Sequence, residues 1–242
     1  MSFALGVYSF EKSLPTGRRF CKHCIQGGYD LREAASETAY RLIRDAIADG
    51  RYEEGSRLRE EELASTLAIS RTPIREAIRR LAADGFVVLE PRIGAVVRTW
   101  DPEAIRDLFN LRAVLEGFAA RLTAEVAQMH AIDELEGQQR RMDELVVSDE
   151  PEFLKQFSEE NTAFHRQIIF LSGNRQLVAI APPLVDLALI TRTYRKFSDE
   201  RIRKSSSDHA DLVQAFRRRD GMWAEAIMRS HILSSVELAS KD

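Results

Sequence analysis

Covalent staples are nearly absent from this chain of 242 residues. It has two cysteines, Cys21 and Cys24, so no disulfide framework holds it together and a reducing cytoplasm suits it. No stretch approaches 18 consecutive apolar residues, so no membrane span is expected. The first ten residues lack the basic start and the apolar run of a signal peptide. A charge excess is missing too. The net charge of -3 does not advertise a nucleic-acid binder, and the balance is 16 Lys and Arg against 14 Asp and Glu up to residue 98, then 19 against 24. The basic signal is local: between Ser70 and Leu81 four arginines face one glutamate, the kind of stretch that meets a phosphate backbone.

The length suits two domains. Residues 1–30 show no sustained period and read as a flexible tail. Within them Cys21-Lys-His-Cys24 is half of a zinc knuckle, without two further ligands nearby. From Leu31 to Asp49 the positions Ala35, Ala39, Leu42, Ile43, Ala46 and Ile47 follow helical spacing, closed by Gly50. Glu60 to Leu67 predicts a short second helix. A third follows the turn at Ala68-Ile69-Ser70, with Ser70 as N-cap, Pro73 in the first turn and Gly85 past its end. On it Ile74, Ala77, Ile78 and Leu81 share one face while Arg71, Arg75 and Arg79 line another. Phe86 to Leu89 and Ala95 to Arg98 flank Glu90 to Gly94 and predict a hairpin with its tip at the glycine. Helix, helix, turn, helix and hairpin make a winged helix-turn-helix over residues 31–98.

The stretch from Gly55 to Val87, above all Ser70-Arg-Thr-Pro-Ile-Arg-Glu-Ala77, resembles the recognition signature of the GntR family of bacterial transcription regulators. The resemblance implies that Ser70, Arg71, Thr72 and Arg75 contact operator DNA and that the wing tip, Arg92 to Gly94, approaches the minor groove. There are two departures. Ala68 stands where the family usually has glycine, at a cost of about 1 kcal/mol if the residue is left-handed. Glu61 and Glu62 occupy the region where some members place a DNA-contacting arginine.

Asp101 and Pro102 predict a capped start to a second domain, residues 102–240. Helical patterns run over about 102–128, 131–147, 151–172, 175–197, 206–219 and 222–239, so the fold class is mainly α: the winged head followed by an all-helical bundle of about six helices. His165, His209 and His231 fall on inward faces, with Asn161 one turn before His165. One such histidine is ordinarily a hydrogen-bonded core residue. Three, with a carbonyl oxygen beside them, suit a borderline divalent ion. His130 keeps the ordinary reading. Arg112 lies on the buried face of its helix and needs a partner, either Glu116 one turn on or the carboxylate of a bound effector. Arg192 and Arg195 belong to a charged run that is a solvated face or the mouth of a pocket.

Asn161-x3-His165, His209 and His231 resemble the effector domain, called FCD, of the FadR-type GntR subgroup. That resemblance implies a divalent metal, zinc first with nickel or manganese as alternatives, and a small carboxylate effector completing its coordination. Asn161 replaces the family's aspartate and brings no charge, which favours an anionic effector. The expected protein is a cytoplasmic repressor, a homodimer on a palindromic operator in double-stranded DNA, with Arg112 and Arg192 as effector contacts. The alternatives are a regulator whose metal is purely structural and a metal-dependent enzyme. The enzyme lacks a general base, since Glu160 points off the inward face, and it leaves the first 98 residues unexplained.

Overall fold

The computed structural model describes residues 22–148, 152–190 and 198–236. The head contains α1 (Lys22–Ala48), β1 (Arg57–Leu58), α2 (Glu60–Leu67), α3 (Arg71–Ala83), β2 (Val87–Glu90) and β3 (Gly94–Val97). The apolar stripe of α3 docks on α1 and α2, burying Ile43, Ile47, Leu63, Ile74, Ala77 and Leu81. Phe86 closes this core edge-on to Tyr40, whose hydroxyl donates to Asp84 Oδ2 at 2.7 Å.

Several local expectations shift. Helix α1 reaches back to Lys22, so residues 22–30 are helical rather than part of a tail. Gly27 and Gly28 lower helix propensity without forbidding it, and elongating an existing helix is easier than nucleating one. Ser70 has the extended backbone of an N-cap, but its side chain makes no capping hydrogen bond. The hairpin gains a third strand, in the order β1-β3-β2, through Arg57↔Val96 and Leu58↔Ala95. Gly94 is paired with Glu90 at the start of β3, so the tip is Pro91 to Ile93, and the left-handed turn residue there is Arg92 at φ 68°.

Ala68 is left-handed, at φ 53° and ψ 35°, the conformation that costs a residue bearing a Cβ. Ala68→Gly should therefore stabilise the head by up to about 1 kcal/mol, less what glycine adds to the entropy of the unfolded chain. A rise in the denaturant midpoint with an unchanged slope is the expected reading; a fall would show that the turn carries no strain.

Six helices form the second domain among the described residues: α4 (Pro102–Val126), α5 (Met129–Val146), α6 (Phe153–Leu171), α7 (Arg175–Ile190), α8 (Asp199–Arg217) and α9 (Gly221–Leu233). Asp101 caps α4 by accepting from Ala104 N at 2.7 Å. Helix α8 begins at Asp199, well before the expected residue 206, because Ser198 caps it by accepting from Arg201 N. Asp199, Glu200 and Arg203, at the end of the charged run, lie in its first turns and are exposed, while Arg192 and Arg195 fall outside the described residues. Helices α4 and α9 approach closely at Gly117, where a Cβ would lie 2.6 Å from Arg229 Cγ, so only glycine permits the contact as it stands. None of the described helices is long and apolar enough to cross a membrane.

The two domains meet at Asp186 of α7, which is 2% exposed. Arg44 of α1 donates to its Oδ2 at 3.2 Å, and Arg166 of α6 forms an ion pair with the same oxygen at 3.3 Å. Burial pushes the Asp186 carboxyl up, and the two guanidinium groups oppose that shift.

Candidate metal centre and nucleic-acid interface

His165 on α6, His209 on α8 and His231 on α9 converge at the centre of the bundle. One ring nitrogen from each lies within 4.8 Å of the other two, and all three side chains are buried. Among the described residues neither nitrogen of His209 has a hydrogen-bond partner, nor does Nε2 of His165. Such orphaned buried atoms are rare and call for an explanation. Burial, reinforced by the neighbouring rings, drives the His209 pKa well below its ordinary value. Burial also takes His231 down to about 4, against the pull of Asp208. Neutral imidazoles with inward lone pairs are the form that binds a metal.

Two carboxylates orient the rings. Glu116 of α4 holds His165 Nδ1 at 2.5 Å, and Asp208 of α8 holds His231 Nδ1 at 3.3 Å. A proton kept on Nδ1 leaves Nε2 as the free donor atom, the arrangement in which carboxylates support metal-bound histidines. Each carboxylate has its own cation: Arg112 Nε donates to Glu116 Oε1 at 2.7 Å, and Lys204 pairs with Asp208. Burial alone would raise the Glu116 pKa; Arg112 and His165 outweigh it and hold the group at about 2. The outer charges thus cancel, and a bound dication would keep its full charge toward the remaining space. The residues fit a divalent ion.

Arg112 is buried as expected, and its side-chain partner is Glu116. Among the described residues its hydrogen bond is made through Nε, to Glu116. Asn161 is half-buried on α6, one turn before His165. His130 is exposed, and Glu160 pairs with Arg141 at 3.2 Å, away from the histidines. Cys21 and Arg192 lie outside the described residues, as does the side chain of Cys24. Sequence reasoning missed Asp208. Its adjacency to His209 was the available signal, but a strictly periodic reading sends the neighbour of an inward residue toward solvent.

The second surface is the exposed face of α3. Ser70, Arg71, Thr72 and Arg75 are all exposed there, as are Arg92 and Gly94 on the wing. Two acidic residues of α2 lie against this face. Glu61 pairs with Arg71 at 3.2 Å, and Glu60 pairs with Arg75 at 2.8 Å.

A helix-turn-helix with a wing, joined to a helical domain with a histidine-lined interior, defines a DNA-binding transcriptional regulator. Comparison with known proteins makes this particular. Residues 35–97 match the family described as bacterial regulatory proteins, gntR family, and residues 107–234 match the FCD domain. A probable D-xylose utilization operon transcriptional repressor of Paenarthrobacter nicotinovorans is 30% identical over 77% of this chain and 80% of its own length. The gluconate operon transcriptional repressor of Bacillus subtilis is 26% identical over 75% of each chain. The Escherichia coli McbR/YncC structure superposes with a TM-score of 0.73 over 85% of this chain and 96% of its own, at 18% identity, a likeness of fold. The chain belongs to the GntR family and carries the C-terminal FCD architecture of its FadR-type members. Its relatives are transcriptional regulators, and the enzyme alternative falls away.

Proposed function

We propose that this protein is a cytoplasmic repressor whose residues 31–98 bind a palindromic operator as a homodimer and whose residues 102–240 sense a small organic acid at a metal site. The observation that carries this reading is the cluster of three buried histidines, three of whose ring nitrogens lack a partner among the described residues, with Arg112 bonded through Nε to the Glu116 that holds His165. His165, His209 and His231 would hold the ion, with the Asn161 amide oxygen as a fourth candidate ligand. Zinc suits three imidazoles best, with nickel and manganese next. When bound, the ion supplies a positive site for a carboxylate.

The chain's own residues do the rest. Arg112 offers its terminal fork to the acid while Glu116 fixes its other edge. Arg192 is the second proposed effector contact. Arg166 follows His165 directly on α6 and shares Asp186 with Arg44 of the head, which gives movement of α6 a short route to the DNA-binding domain. Half-site spacing then changes and operator affinity falls; by linkage, operator DNA weakens effector binding by the same factor. On α4, Leu111, Val114 and Phe118 are 42–52% exposed at helical spacing, an apolar stripe suited to self-association.

The test uses a duplex that the protein itself enriches from random DNA. Its affinity is measured with and without a panel of monocarboxylic, dicarboxylic and sugar acids. At least one acid should weaken binding tenfold or more, and Arg112→Lys, which preserves the charge beside Glu116 but not the fork, should lose that response. A full response in Arg112→Lys would remove Arg112 from the effector site. A response unchanged by stripping the metal would make the ion structural.

A further inference from the structure

Three carboxylates, Glu60, Glu61 and Glu62, open α2. Negative charge favours a helix N-terminus, yet on a face that meets a polyanion it lowers affinity. Each has an arginine: Glu62 pairs with Arg59 at 3.0 Å, Glu61 with Arg71 at 3.2 Å and Glu60 with Arg75, while Arg71 reaches Glu60 only at 3.9 Å. The Glu60 contact differs in kind. Arg75 Nε lies 3.0 and 3.1 Å from the two carboxylate oxygens, and Nη2 lies 2.8 Å from Oε2. Glu60 is also the least exposed of the three, at 29% against 73% for Glu61 and 64% for Glu62. Arg79, on the same stripe, has no ion pair with a described residue.

A guanidinium has two edges that can bond in parallel, the Nε/Nη2 side and the Nη1/Nη2 end. On Arg75 the side edge is taken by Glu60, which leaves the end to project. An end-on pair of donors matches O6 and N7 of guanine. A guanidinium tied at its side is also less able to swing to a nearby phosphate. We propose that Glu60 is a specificity-determining positioning residue: by clamping one edge of Arg75 it commits that arginine to a base and withholds it from the phosphate backbone. This rests on the DNA-reading role of α3.

Full-length wild type, Glu60→Ala, Arg75→Ala and Glu62→Ala are each used to enrich random duplexes. Each is then titrated with the wild-type duplex and a scrambled one across a range of salt. The wild type should prefer guanine at a half-site position that Arg75→Ala loses. Glu60→Ala should lose the preference at that same position, bind scrambled DNA at least threefold more tightly and show a salt slope steeper by about one unit, as expected for one more phosphate contact. Its preference for operator over scrambled DNA should fall about tenfold. Glu62→Ala removes the same charge without touching α3, so it should tighten both duplexes equally and keep the motif.

The proposal is overturned if Glu60→Ala selects the wild-type motif, or if it shifts both affinities by one common factor as Glu62→Ala does. Glu60→Gln, closer in shape, is read the same way should the alanine variant melt early. Failure of the wild type to enrich any sequence would instead remove the DNA-reading role of α3, a different outcome from an unchanged motif.

Discussion

Protein purified without chelator should carry one divalent ion per chain, and stripping that ion should lower the melting temperature by about 10 °C. The size follows from linkage: free metal at a thousand times its dissociation constant stabilises by about 4 kcal/mol, and each kcal/mol moves a chain of this size by about 2–4 °C. His209 gives the sharpest test because it is fully buried and both its nitrogens lack partners among the described residues. If His209 is only a core residue, His209→Leu removes two unsatisfied polar atoms and should be neutral or stabilising. If it is a ligand, the same change abolishes stoichiometric metal by elemental analysis, and the melting temperature falls to that of stripped wild type. The sign of the effect separates the two readings. Stripped His209→Leu should melt at or above stripped wild type in either case, a control for damage to the core.

What the sequence revealed and what it hid divide along a physical line. Helical periodicity reports which side of a helix a residue occupies, so the inward placement of His165, His209, His231 and Arg112 was legible, and all four are buried. The bounds of α2, Glu60 to Leu67, were legible as well. Periodicity does not report what stands across the gap. The Glu116 contact to His165 spans 49 positions, that of Asp208 to His231 spans 23, and that of Arg75 to Glu60 spans 15. Each joins different helices, and nothing local marks it. The acidic start of α2 was visible as an anomaly but not as a set of ion pairs. Strand β1 is two residues long, too short for alternation to register. The start of α8 was hidden because Ser198 and Asp199 read as a break between helices, whereas Ser198 is the N-cap of the next one.

The buried chain Arg112–Glu116–His165 ties the proposed effector contact to the proposed metal ligand, and Glu116 carries the tie. Glu116→Ala should cost about 3–5 kcal/mol, because it leaves the Arg112 guanidinium buried without a counter-charge. Glu116→Gln should be costly too: an amide has one acceptor oxygen, whereas Arg112 Nε and His165 Nδ1 both need one. Loss of the carboxylate should also weaken metal binding about 10- to 100-fold, since His165 would no longer be held in orientation and tautomer. Stability and metal affinity can be separated by removing both charges. The double variant Arg112→Met, Glu116→Leu buries no ion and should return to within about 1 kcal/mol of wild type, or exceed it. Its metal affinity should stay as low as that of Glu116→Ala. Denaturation of stripped protein together with calorimetric zinc titration gives both quantities. Recovery of stability without recovery of metal binding would establish Glu116 as a support for the metal centre; recovery of both would reduce it to a partner for Arg112.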